Sequence, residues 1–208
     1  MNVVLIGFSG SGKSSVGRLL ALRLGWELID TDAEVERMAG KRIHQIFAEE
    51  GEAGFRRLES EAVLHALVGE RRVVAVGGGA VVDPANREAM RKGNLVVLLD
   101  AGVETLHRRL AAAVVAEPRP MLGAEDGERA GGEAGRACTS GGPADPPAPA
   151  DPVLARIAAL KAQRDPIYRE TAHLSIWTEG LDVESIADRV AEAVGAACSE
   201  TPDTARQP

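Results

Sequence analysis

A chain of 208 residues, 45% hydrophobic and 26% charged, has the composition of an ordinary globular protein and is long enough for one substantial core. Aromatics are only 3%, so packing rests on Leu, Val, Ile and Ala, and no apolar run approaches the length of a membrane span. The formal charge of −7 argues against nucleic acid or an anionic membrane as partner, so any anionic ligand must be met by local positive groups.

The chain opens with a short apolar run, Asn2 to Ile6, that reads as a strand without a basic leader; a cytoplasmic protein is expected. From Lys13 to Leu24, Val16, Leu19, Leu20 and Leu24 recur at helical spacing. Between strand and helix lies Gly7-Phe8-Ser9-Gly10-Ser11-Gly12-Lys13-Ser14, which matches the phosphate loop G-x-x-x-x-G-K-[ST] in the context its mechanism requires. Its glycines let successive N–H groups converge on phosphate oxygens, and the helix N-terminus adds positive potential. Lys13 suits the β and γ phosphates and the Ser14 hydroxyl suits Mg²⁺, so a nucleotide is the expected ligand.

Trp26 to Ile29 reads as a second strand. Asp30-Thr31-Asp32 follows it, which would place two carboxylates on one side of an extended segment. One could serve the metal shell and the other accept a proton from an attacking hydroxyl, although an acidic helix cap is about as good a reading of the same residues. Helical segments are expected over Ala33 to Ala39, Ile43 to Glu50 and Gly54 to Val68, the last carrying Arg56, Arg57 and Glu59. A third strand, Arg72 to Val76, ends in Gly77-Gly78-Gly79, three glycines that suggest a backbone very close to a ligand.

Further on come a helix over Pro84 to Lys92, a strand over Leu95 to Leu99 and a helix over Val103 to Val115. Arg119-Pro120-Met121-Leu122 precedes Gly123 to Pro152, a segment rich in Gly, Ala and Pro with almost no large apolar side chains. That composition cannot offset the entropy of ordering, so the segment is expected to be a long, poorly ordered insertion. A helix over Val153 to Gln163 leads to Arg164-Asp165-Pro166-Ile167-Tyr168, a weaker fifth strand over Leu174 to Trp177 and a final helix over Val183 to Ala197. Alternation of apolar strands with helices predicts an α/β domain, a mostly parallel sheet covered on both faces. The whole is expected to be one domain over 1–198, with a lid at about 112–152, the insertion at 123–152 and a loose tail at 199–208. Cys138 and Cys198 have neither metal-ligand nor disulfide spacing, and His44, His65, His107 and His173 share no spacing, so none of them is expected to form a site.

Taken in order, the phosphate loop, D-T-D, G-E-x-x-F-R-x-x-E, G-G-G, R-P-M-L and R-x-P-x-Y resemble the motif set of the shikimate kinase family, from about Asn2 to Val194 without the insertion. The resemblance implies a three-layer phosphate-loop kinase fold with five strands in the order 2-3-1-4-5 and a mobile lid. It also implies phosphorylation of the 3-hydroxyl of shikimate by ATP with Mg²⁺. On this basis Lys13, Asp32 and Arg119 would be catalytic, and Ser14 and Asp30 would serve the metal. Gly10, Ser11, Gly12, Lys13, Ser14, Ser15, Arg109 and Arg119 would hold the nucleotide, Arg109 by stacking on adenine. Asp32, Arg56, Gly77, Gly78, Gly79 and Arg164 would hold shikimate, the arginines by pairing their parallel donors with its carboxylate. Glu59 could orient Arg56 or form a purely structural salt bridge. The expected partners are ATP and shikimate alone, with the chain a monomer.

Two departures from the family pattern stand out. About thirty residues separate Leu122 from Val153 where relatives have a short link, and Thr178-Glu179-Gly180 stands where many place a basic residue against adenine. A kinase for another small hydroxy acid, such as gluconate, is the rival enzyme, and a non-catalytic nucleotide-binding protein is the rival of another class. D-T-D with R-x-P-x-Y argues against the first, and the joint presence of Lys13, Ser14, Asp32 and Arg119 against the second.

Overall fold

The structure, a computed structural model, describes residues 1–116 and 151–199. Expectations for Arg119, most of the 112–152 lid, nearly all of the 123–152 insertion, Cys138 and the tail after 199 lie outside the described residues. Strands β1 (Val3–Ile6), β2 (Glu27–Asp30), β3 (Arg72–Ala75), β4 (Leu95–Asp100) and β5 (Leu174–Trp177) form one sheet, parallel throughout. Its order is β2-β3-β1-β4-β5, as the resemblance implies.

The period of two along each strand divides the core into two layers. Val3 and Leu5, with Val97 and Leu99, face α1 (Lys13–Leu24) and α7 (Val183–Ser199). Val4 and Ile6, with Val74, Val96 and Leu98, face α3 (Ile43–Ala66), α4 (Pro84–Arg91) and α6 (Pro152–Thr171). β1 is the central strand and must be apolar on both faces, which is why it reads Val-Val-Leu-Ile with every residue buried. Full burial of side chains such as Leu5 and Leu99 contributes about 1.5–3 kcal/mol each. A satellite cluster of Val35, Ile46, Phe55 and Leu58 joins α2 (Thr31–Ala39) to α3, with the Phe47 and Phe55 rings stacked at 4.5 Å. Another, of Phe8, Ala101, Leu106 and Ile157, ties α5 (Val103–Ala116) and α6 to the start of the phosphate loop.

Strand bounds differ from the sequence reading by about a residue, the usual latitude of such assignments. Two differences matter more. Asp30-Thr31-Asp32 is not an extended segment with both carboxylates on one side: Asp30 ends β2, and Thr31 and Asp32 already belong to the first turn of α2. Asp30 is the N-cap, its carboxylate accepting the Asp32 N–H at 3.0 Å, so helix geometry overrides the period of two that the sequence suggests. In addition, α6 does not stop at Gln163 but runs to Thr171 through Pro166, because the turn beyond it buries Tyr168 against the sheet. The two helices expected between Ile43 and Val68 are both present within α3 and meet at Gly51, whose φ of 69° and ψ of −173° are not helical and favour glycine.

Candidate functional site

The C-terminal ends of β1, β2 and β3 converge on one rim of the sheet, where parallel α/β folds bind ligands. From β1 the chain enters the phosphate loop, where Gly10 and Gly12 take φ of 81° and 102°, and reaches α1 with Gly12 as its N-cap. The Lys13 ammonium is enclosed by the loop, donating to the carbonyls of Gly7 and Phe8 at 2.8 and 3.0 Å. Burial pushes its pKa down to about 8, against the opposing pull of the Asp32 and Asp30 carboxylates. Both carboxylates therefore lie within electrostatic reach of the Lys13 ammonium. Ser11 Oγ is buried in the loop and has no hydrogen-bond partner among the described residues. Ser14 and Ser15 are exposed on the first turn of α1.

The Ser14 hydroxyl donates to Asp30 Oδ2 at 2.7 Å. These are hard oxygen donors, and no group of three His, Cys, Asp or Glu able to hold a metal occurs among the described residues. Two oxygens that leave the other positions to phosphate and water fit magnesium, which keeps much of its hydration and joins nucleotide phosphates. Arg109, from α5, turns its Nη1 toward the Gly10 and Ser11 carbonyls and Thr178 Oγ1, each at 3.4 Å, and so covers the loop from the side. Near it, Glu179 accepts the Gly102 N–H at 2.9 Å at the start of α5. Hydrogen bonds from Thr105 and then Gly102 hold its carboxyl below the usual range. Where the sequence lacks a basic residue, a helix-capping carboxylate stands instead.

The second end of the site is built around Gly77 to Gly79. The Gly77 N–H donates to the buried Thr31 Oγ1 at 2.9 Å, which fixes the start of α2 and hence Asp32 against this turn. The glycines are there for room. A Cβ at Gly77 would stand 2.7 Å from Asp32 Oδ1 and 3.0 Å from Glu59 Oε1, and one at Gly79 would collide with the Arg56 guanidinium. Arg56 Nη1 donates to Glu59 Oε2 at 2.7 Å, while its Nε and Nη2 reach Glu52 Oε1 at 3.3 and 3.1 Å. Glu59 is only 3% exposed, and burial raises its pKa against the opposing charge of Arg56. Glu59 is thus the buried partner of the guanidinium and Glu52 the exposed one.

Arg164 projects from α6 over the Phe8 ring, its Cζ 5.9 Å from the centroid. It also acts electrostatically on Glu59, which brings it to the same side as Arg56 and Asp32. No ion pair engages Arg164 among the described residues. Lys13, Asp30, Asp32, Arg56, Gly77 to Gly79 and Arg164 are thus assembled at one rim, Arg109 lies beside the phosphate loop, and Arg119 falls outside the described residues.

Three contributors escape a reading of the sequence. Thr31 is the unspecified middle residue of D-T-D, Tyr168 closes R-x-P-x-Y without an obvious task, and Lys161 makes a buried bridge to Asp100 and Asp165 at 2.6 and 2.8 Å. Only the i, i+4 spacing of Lys161 and Asp165 offers a signal for the last. The histidines form no cluster: His65 meets Glu34, His107 meets Asp151, and His173 Nδ1 accepts the Val96 N–H.

A family model described as shikimate kinase matches residues 9–138. A shikimate kinase of Symbiobacterium thermophilum is 45% identical over 192 residues, covering 92% of this chain and 93% of that one. The solved structure of shikimate kinase from Acinetobacter baumannii in complex with shikimate aligns with a TM-score of 0.76 and 31% identity, over 94% of this chain and 93% of that one. One from Bacteroides thetaiotaomicron aligns with a TM-score of 0.74 and 27% identity, over 94% and 98% of the two chains.

Proposed function

The chain belongs to the shikimate kinase family, and on that premise we propose that it transfers the γ-phosphoryl group of ATP to the 3-hydroxyl of shikimate, giving ADP and shikimate 3-phosphate. The observation that carries this reading is the two-ended site: a phosphate loop joined through Gly77 to Gly79 to a pocket that pairs a carboxylate, Asp32, with the guanidinium groups of Arg56 and Arg164. A small carboxylated polyol needs that combination, with arginines for its acid and a carboxylate for its hydroxyls.

In this reading the N–H groups from Gly10 to Ser15 and the Lys13 ammonium hold the phosphates, exchanging the Gly7 and Phe8 carbonyls for phosphate oxygens. Mg²⁺ held at Ser14 and Asp30 would neutralise charge on the transferring phosphoryl group. Arg56 and Arg164 fix the substrate carboxylate, and the Gly78 and Gly79 backbone contacts its ring. Asp32 accepts a hydrogen bond from the attacking hydroxyl and takes its proton as the new P–O bond forms. Arg109 supports the adenine, and Arg119 neutralises charge developing on the γ-phosphoryl oxygens.

In this reading the chain acts as a monomer in the cytoplasm. No helix among the described residues is long and apolar enough to cross a membrane. The family assignment disfavours the gluconate-type alternative. Purified protein should release ADP from MgATP when shikimate is added and not when gluconate is added. ADP release independent of both would reject the reading.

A further inference from the structure

Tyr168 is the one tyrosine of the chain and is 1% exposed, yet its phenol is not merely buried bulk. The hydroxyl donates to the Gly78 carbonyl at 2.5 Å, across ninety positions of sequence. The guanidinium of Arg164, one helical turn earlier on α6 and set over the Phe8 ring, is near enough to act on this phenol through its charge. Between the two stands Pro166, which has no N–H to give the Ala162 carbonyl, so this turn of α6 lacks one of its own backbone bonds. Gly78 in turn lies against the phosphate loop, since a Cβ there would come within 3.2 Å of both Ser9 N and Ser9 Oγ. One oxygen thus stands between the arginine assigned to the substrate acid and the glycine turn that abuts the phosphate loop.

We propose that the Tyr168 hydroxyl is a positioning group that sets Arg164 and the Gly78 carbonyl in a fixed relation, so that the carboxylate end of the substrate is registered against the phosphate loop. This rests on the proposed function, because it assigns Arg164 to the shikimate carboxylate. Burial keeps the phenol protonated far above the ordinary tyrosine range, so the group remains a donor to Gly78 at every working pH. Phenylalanine would fill the same space but leave the Gly78 carbonyl without this donor and remove the polar oxygen from beside the guanidinium.

The test is a two-by-two set in the full chain: wild type, Tyr168→Phe, Arg164→Ala and the double variant. Tyr168→Phe should raise KM for shikimate about tenfold, with kcat and KM for ATP within about twofold. In the Arg164→Ala background the same substitution should change KM for shikimate less than about twofold, since its effect passes through Arg164. A second readout does not need turnover. Protein labelled with [¹³Cζ]tyrosine gives a single resonance, which should shift on Arg164→Ala without substrate and, in wild type, on addition of shikimate. Factors that multiply independently in the double variant, or a resonance unmoved by Arg164→Ala, would overturn the proposal while wild-type activity stands. A wild type inert toward shikimate would instead remove the functional reading, and this role for Tyr168 with it.

Discussion

Replacing Gly77 by alanine probes the site where it is built most tightly. Gly77 follows β3, with its N–H held by Thr31 Oγ1. A Cβ there would stand 2.7 Å from Asp32 Oδ1 and 3.0 Å from Glu59 Oε1, closer than a methyl carbon tolerates. Its backbone is not in the left-handed region, so the substitution acts by contact and not by strain. Asp32 Oδ1, the nearer atom, is a carboxylate end that can swing aside, and the buried Glu59 need give by only a few tenths of an ångström. The stability cost should therefore sit near the low end of overpacking, about 1 kcal/mol, or about 2–4 °C in Tm. Catalysis is less forgiving. Misplacing a reacting group by about 1 Å costs roughly a hundredfold, and Asp32 is the group displaced. The expected result is a kcat/KM for shikimate reduced about a hundredfold in a coupled ADP-release assay, with a thermal melt moved by only a few degrees. Gly195→Ala is the control: no atom lies within 4 Å of a Cβ at this position in α7, so activity should be unchanged. Near-normal turnover by Gly77→Ala would refute the assignment of Asp32 as proton acceptor.

Arg164→Ala should raise KM for shikimate about ten- to a hundredfold, the loss of one charge-assisted contact of about 1.5–3 kcal/mol, with ATP affected less; a larger effect on ATP would reverse the two ends of the site. ATP binding should depend on pH through Lys13, whose pKa of about 8 in the free protein must rise when phosphates surround the ammonium. Binding is then tightest below pH 8, weakens by up to about tenfold per pH unit above it, and takes up a proton near pH 8.5–9. Calorimetry in buffers of different ionisation enthalpy measures both, and a constant Kd with no proton uptake would contradict the shift. Replacing Ala124 to Ala150 with a short Gly/Ser link should leave shikimate phosphorylation present with kcat changed less than about tenfold, a barrier change under about 1.4 kcal/mol. Abolished activity in a folded deletion variant would assign that segment a functional group.

The parallel sheet was legible in the sequence because its strands are short apolar runs, and a central strand buried on both faces leaves no polar positions to confuse the pattern. The phosphate loop was legible because its mechanism demands specific residue types at fixed spacing. Asp30 and Asp32 are legible as residues but not as geometry. An aspartate at a strand end serves equally as the last extended residue or as a helix cap, and the Asp32 N–H to Asp30 bond decides for the cap. The end of α6 is illegible in the sequence for a related reason. Pro166 signals a break locally, whereas burial of Tyr168 against the sheet carries the helix through it. Thr31 and Tyr168 were illegible as site residues because their partners, Gly77 and Gly78, are distant in sequence and contribute only backbone atoms.

Phosphorus-31 NMR of the purified protein with ATP, Mg²⁺ and shikimate tests the assigned reaction most directly. One shikimate phosphomonoester should appear for each ADP formed, its phosphorus coupled to the proton on carbon 3, and gluconate should yield no ester. Free phosphate without an ester, or an ester on gluconate but not on shikimate, would contradict the assignment.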